Sequence, residues 1–332
     1  MGKEGGQQTQ ARRILARKLV NVLITLLAIW TINFVLFHML PGDPTYTLLP
    51  PRAPEEAREA MKVAFGLDKP LLDQYFISLK SLFSYPPDFG YSWFYKRPVW
   101  DVVSESLMYT ILLVGTGTLI AVYVGVRLGI IAGSRNRQPV DIAIVGTSLA
   151  FYSMPAFWLG MVLLMALAGE LGWFPMHGFK DVTNIDETFG EAVLDRLWHM
   201  FLPVLTVVLL TLSEFVLMMR NSLIDVLTED FIGTARAKGV SPRDIVNKHA
   251  VPNAMLPTVA TMAMYIGWIV TGAIMIEVVF SWPGVGNLTY QALKMRDFPV
   301  LQCIFLVVAV AMLLANLVAD IVYTYIDPRV RI

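Results

Sequence analysis

The sequence predicts an all-α membrane protein with six spanning helices and a structured polar segment between the first two. Three observations carry that prediction. Hydrophobic residues make up 56% of the 332 and charged residues only 16%, against roughly 25% charge in ordinary soluble domains. Six apolar runs, at 19–40, 107–133, 141–168, 200–219, 257–280 and 300–325, each approach or exceed the length of about 20 residues that a spanning helix requires. Lysine and arginine collect in alternate connecting segments, although the formal net charge is zero.

Taken in order, residues 1–18 form a polar tail ending in Arg12, Arg13, Arg17 and Lys18. The first apolar run is too long for a cleavable signal peptide and has no small-residue cleavage site. Pro41-Gly42-Asp43-Pro44 ends it, because two prolines and a glycine cannot continue a helix. Segment 41–106 has helical character of its own. Pro54 to Ala60 reads as a helix start, and Leu71, Leu72, Tyr75, Phe76, Leu79 and Leu82 recur at helical spacing. Trp93, Phe94, Tyr95 and Trp100 suit a membrane interface. In the second spanning run, Gly125, Gly129 and Gly133 stand four apart. That spacing permits close approach of another helix and is also compatible with the ordinary glycine content of membrane helices.

Orientation follows from the short segments, since basic residues are retained on the cytoplasmic side. With the amino terminus inside, the inner segments hold the basic tail, Arg135 and Arg137, a central basic group, and Arg329 with Arg331. The outer segment 169–199 holds six acids against Lys180 and Arg196. Segment 41–106 carries seven bases, but long segments translocate largely regardless of charge. Both termini and the central segment are therefore expected in the cytoplasm.

The central segment, residues 220–256, is the most informative polar stretch. Ser222 with Asp225 has capping-box spacing, which predicts a helix start with Leu223, Val226, Leu227 and Phe231 on one side. Thr234 to Lys238 is a run of helix formers, and Gly239 suits a left-handed stop. Ser241-Pro242-Arg243-Asp244 then opens another helix with a serine cap and proline at the first position. A short helix, a glycine turn and a second helix make a rigid projection shaped for docking. Its five bases stand against four acids, so it is not a nucleic-acid patch.

Several function classes are excluded. The chain has no G-x-x-x-x-G-K-[ST] loop, so any nucleotide hydrolysis must sit on another polypeptide. Four scattered histidines (His38, His177, His199, His249) and a lone Cys303 give no metal or disulfide framework. No cofactor and no catalytic constellation is expected. Arg127, Glu214, Glu277 and Asp320 fall within or near the ends of the apolar runs. Each is either a functional charge or one that snorkels or pairs at an interface.

The central segment resembles the cytoplasmic signature of the inner-membrane permease subunits of binding-protein-dependent ABC importers: E-A-A, three residues, G, nine residues, I-x-L-P. Gly233-Thr234-Ala235, three residues, Gly239, nine residues and His249-Ala250-Val251-Pro252 reproduce the spacing, with glycine for the signature glutamate and His249 and Val251 for its isoleucine and leucine. Thr234-Ala235-Arg236-Ala237-Lys238-Gly239 is similar to the dipeptide/oligopeptide branch. So are Leu40-Pro41-Gly42-Asp43-Pro44, Phe65 to Leu71, Pro155 to Gly160, Leu171 to Pro175, Phe280 to Gly286 and Asp327-Pro328-Arg329. In that order they look like the first of the branch's two permease subunits.

The resemblance implies a type I importer permease fold in a prokaryotic inner membrane. It divides the chain into an inner tail (1–18), a first span (19–40), an extracytoplasmic segment (41–106), a permease core (107–325) and an inner tail (326–332). It implies as partners a homologous second permease subunit, two ATP-binding subunits or domains and an extracytoplasmic solute-binding protein. Thr234, Ala235, Arg236, Ala237, Lys238 and Gly239, with Pro252 closing the signature, are then the residues coupled to the ATPase. Peptides are the first expected substrate, with oligosaccharides, nickel or glutathione as alternatives within the class. A secondary transporter or channel is the alternative outside it.

Overall fold

The computed structural model describes residues 20–37, 52–64, 68–84, 87–92, 94–181, 183 and 188–326. The predicted Pro41–Pro44 break, Phe65 to Leu67, Trp93 and both tails lie outside the described residues. Among the described residues the regular structure is helical, apart from one isolated antiparallel bridge between Tyr91 and Pro98. In chain order the helices are α1 (Val20–Phe37), α2 (Glu55–Ala64), α3 (Leu71–Ser81), α4 (Val99–Ser134), α5 (Pro139–Tyr152), α6 (Ala156–Glu170) and α7 (Phe189–Leu227). There follow α8 (Asp230–Ala237), α9 (Pro242–Thr271), α10 (Ile274–Val279), α11 (Val285–Met295) and α12 (Phe298–Ile326). Five of these helices are long and apolar enough to cross a membrane, and α5 with α6 makes a sixth if the bent pair is one span.

Counted as one span, α5 with α6 is broken near its middle. Its halves meet at 101°, because Pro155 disfavours helical geometry at Met154 and starts α6 afresh. The fourth is longer than its apolar run. At 39 residues α7 extends to about 58 Å, well beyond the hydrocarbon layer. It begins in a reciprocal capping box between Thr188 and Glu191 and continues unbroken through Ser222. Ser222 is thus no cap: Met219 and Leu223 are completely buried, and that packing holds the chain helical across the predicted start. The fifth run ends at Thr271 rather than Phe280. Gly272 takes a φ of +76°, which glycine adopts without strain, and the chain turns into the short α10.

The contacts divide the chain into two units, each described by itself. In the first, residues 1–105 and 289–313, α1 packs through Phe34 edge-on to Tyr75 of α3, centroids 5.3 Å apart. Thr31 Oγ1 lies 2.9 Å from the Tyr75 hydroxyl, and Asn33 Nδ2 donates to the Gln302 carbonyl at 2.9 Å. The segment after α3 is pinned by a fully buried carboxylate. Asp297 accepts from Ser92 Oγ at 2.5 Å and from the Phe94 amide at 3.1 Å. Burial, reinforced by the Asp297 charge, holds the Tyr95 phenol above its ordinary range. Cys303 is fully buried, a packed small hydrophobe.

In the second unit, residues 106–288 and 314–332, α4 lies directly on α7. A Cβ added at Gly129 would meet Met219 Cβ at 2.7 Å and the Val216 carbonyl at 2.8 Å. The glycines spaced by four therefore serve close helix approach. The loop after α10 folds back over Glu277, which is completely buried. Its carboxylate accepts from Thr110 Oγ1 (2.9 Å), the Ala273 amide (3.4 Å) and the Asn287 amide (3.0 Å). Glu277 does not snorkel. It is the internal post around which α4, α10 and the start of α11 are arranged, and Trp282 Nε1 closes the loop by donating to the Tyr109 carbonyl at 3.0 Å.

Candidate functional site: a helical elbow and the cavity beside it

The central segment forms the expected helix, turn and helix. α8 starts after Glu229 rather than at Ser222, and it stops where the sequence predicts. Lys238 and Gly239 amides bond to the Thr234 and Arg236 carbonyls, at 3.1 and 3.0 Å. Gly239 sits at φ +79°, and the Val240 amide returns to the Ala235 carbonyl at 3.2 Å. Ser241 then caps α9, its Oγ accepting from the Asp244 amide at 3.2 Å. Asp244 also holds Lys248 at 2.9 Å one turn further on. Residues Ile245–Ala250 form a wide π-helical stretch. Pro252, exposed just past it, leaves no backbone donor to place.

The elbow has an inner and an outer side. Ile232 and Ala235 are buried with Met219, Leu223, Ile245, Ala250 and Ala254 in one apolar cluster. Thr234, Arg236, Ala237, Lys238 and Gly239 are exposed, together with Phe231 at 43%. The sequence spacing predicts Phe231 on a common face with Leu223. In fact Leu223 belongs to α7, while Phe231 belongs to α8 and points away from that core. Of the residues expected to couple to the ATPase, Ala235 alone faces inward. The others are presented outward.

Below the elbow, α5 and α7 are clamped. Arg220 reaches Asp141 with two nitrogens, Nε to Oδ1 at 2.6 Å and Nη2 to Oδ2 at 2.7 Å. The Arg137 amide adds a third donor to Asp141 at 2.8 Å, and Asn136 Oδ1 accepts from Arg220 Nη2 at 3.2 Å. A cavity of about 470 Å³ lies between this turn and α8, bordered by Asn136, Glu229, Asp230 and Arg236. No sequence signal announced the clamp, whose partners stand 79 positions apart.

A second cavity, of about 490 Å³, opens along the face of α7 that carries Glu214, Met218, Asn221 and Asp225, with Tyr152 and Pro257 opposite. The Tyr265 hydroxyl donates to the Glu214 carboxylate. Arg127, in contrast, is exposed and stacks over the Tyr123 ring, 5.4 Å from its centroid. Asp320's side chain lies outside the description. Among the described residues no group of His, Cys, Asp and Glu could hold a metal.

Among the described residues the chain is helical, with apolar spans and a capped polar elbow, the architecture of a membrane-spanning protein. The family models agree: residues 125–332 match the binding-protein-dependent transport system inner membrane component, and residues 11–114 match the amino-terminal component of the same systems. The chain belongs to this family and is a permease subunit of an ABC importer, a transport component and not an enzyme. It is 36% identical over 316 residues to the glutathione transport system permease protein GsiC of Escherichia coli K12, covering 95% of this chain and 97% of that one. It is 34% identical over 336 residues to the dipeptide transport system permease protein DppB of the same organism, covering 96% and 98%. Among solved structures, the inward-facing MetNI methionine ABC transporter aligns with a TM-score of 0.47 and 19% identity, over 69% of this chain and 94% of that chain.

Proposed function

We propose that this permease imports peptides or similar small solutes, glutathione among them, and that it is driven by ATP hydrolysed on separate subunits seated against the elbow. The relatives' named substrates, dipeptides and glutathione, support the solute class. One observation carries the coupling role: a two-sided elbow, apolar within and exposed without, is continuous through α7 and α9 with two spanning helices. Force applied to the outer side, at Phe231, Thr234, Arg236, Ala237, Lys238 and Gly239, passes through the buried Ile232 and Ala235 into the ends of those helices. Bistable packing then turns a small displacement into a switch of access. In this reading a homologous second permease completes the pathway and an extracytoplasmic binding protein delivers the solute. The elbow and both termini, tails 1–18 and 326–332, are cytoplasmic, and segment 41–106 is extracytoplasmic, as the distribution of basic residues supports.

The test is topological and simple. A cysteine replacing Lys238 is expected to resist a membrane-impermeant maleimide in sealed cells and to react in inverted vesicles. Labelling in sealed cells contradicts the assignment.

A further inference from the structure

The 490 Å³ cavity has a chemical character that importer membership does not specify. Ser213, Glu214, Met218, Asn221, Ser222 and Asp225 line it from one side of α7. They recur at helical spacing and so form a single stripe. The other side of the same helix, with Phe215, Met219 and Leu223, is fully buried. α7 thus turns its most deeply buried apolar side to the protein core and a mixed side, with Leu217 and Met218 between the polar groups, to the cavity. The charged groups in the lining are both acids, and neither lysine nor arginine borders it.

Glu214 is the informative residue. It stands inside an apolar span, where a carboxylate is costly unless it faces protein or water. Among the described residues its hydrogen-bond partner is the Tyr265 hydroxyl, one donor for a group that accepts about four. A carboxylate that borders a solute-sized space binds a cationic donor more strongly than a neutral one, and an ammonium is such a donor. Asp225 lies eleven residues on, about 16 Å further along the helix. The spacing gives an amine a second acidic stop in the direction of the elbow.

We propose that this cavity is part of the solute path and that Glu214, positioned by Tyr265, binds the free amino group of the transported solute. The inference rests on the peptide reading above and deepens it: the permease itself selects for a primary amine.

The experiment uses the complete importer, with its partner subunits, in vesicles. A cysteine replaces Met218 in the lining, and its maleimide labelling is followed by the mass of this chain, whose own Cys303 is buried. The probes are trialanine and N-acetyl-trialanine, supplied on both sides of the membrane. Trialanine is expected to slow labelling, and the acetylated peptide to need about a tenfold higher concentration for the same effect, the scale of losing one partly solvated charge pair. Glu214→Gln should erase that difference, and Tyr265→Phe, which removes the hydroxyl that positions the carboxylate, should shrink it. Equal protection by the two peptides overturns the proposal. So does absence of protection in vesicles that take up trialanine, which leaves the peptide reading intact. Vesicles that take up no trialanine with loaded binding protein present sink the peptide reading and this inference with it. Should the Glu214 variant fail to assemble, the two-peptide comparison with Glu214 in place still decides.

Discussion

Arg220 holds Asp141 with both arms of its guanidinium, at 2.6 and 2.7 Å, and so ties α7 to the start of α5 where the central elbow begins. The Asp141 side chain is 3% exposed, and Arg220's is 21%. Removing either partner leaves the other charge poorly solvated. Arg220→Ala and Asp141→Ala should each destabilise the purified importer by about 3 kcal/mol. The double variant should lose clearly less than the sum. Thermal unfolding in detergent, run as a double-mutant cycle, measures this, and strict additivity would show that the contact contributes nothing.

Glu277 organises its loop as an acceptor for three donors. Glutamine has nearly the same shape but offers one oxygen instead of two, so an amide must face a donor. Glu277→Gln is expected to cost about 1–3 kcal/mol locally. The readout is hydrogen exchange over residues 281–288, which should quicken while α4 and α7 keep their protection.

The approach of α4 to α7 leaves no room for a side chain at Gly129. Gly129→Leu should prevent monodisperse assembly, since overpacking of this kind costs about 1–3 kcal/mol or more. Gly146, where an added Cβ meets nothing within 4 Å, provides the control. Gly146→Ala should elute as the parent protein does in size-exclusion chromatography.

In the first unit, Asp297 anchors the turn at Phe94 and Tyr95, accepting from Ser92 Oγ and the Phe94 amide while Ser92 Oγ accepts from the Tyr95 amide. Asp297→Ala should release that turn and expose the Tyr95 backbone. Faster proteolysis between residues 90 and 100, with uptake reduced but α1 still membrane-inserted, is the expected pattern.

What was legible in the sequence was local. Gly239 and the Ser241 cap act within four residues of themselves, and both stand where the pattern put them. The apolar runs marked the spans because lipid demands length and little else. The failures share a cause. Ser222 carries a cap spacing, yet tertiary packing at Met219 and Leu223 overrides it. Gly272 breaks the fifth run because Glu277 and Gly286 crowd it, with an added Cβ 3.2 Å from each, and no window of sequence shows that neighbour. The inward turn of Ala235 and the outward turn of Phe231 depend on how α8 sits on its own cluster. The Glu214 cavity needs α5, α7 and α9 together before it exists.

In the proposed function the outer side of α8 receives work from a separate ATPase. Ala237 is the position that isolates it, being exposed where Ala235 is packed inside, so a bulky residue there leaves the chain's own core untouched. Gly239→Val adds strain of about 1–2 kcal/mol at a φ of +79° and shifts the angle of the turn. The decisive measurement is solute uptake beside ATP hydrolysis in vesicles holding the importer with Ala237→Trp or Gly239→Val. The prediction is loss of most uptake with the permease still membrane-inserted and hydrolysis no longer tied to transport. Full uptake with normal coupling in both variants would contradict it.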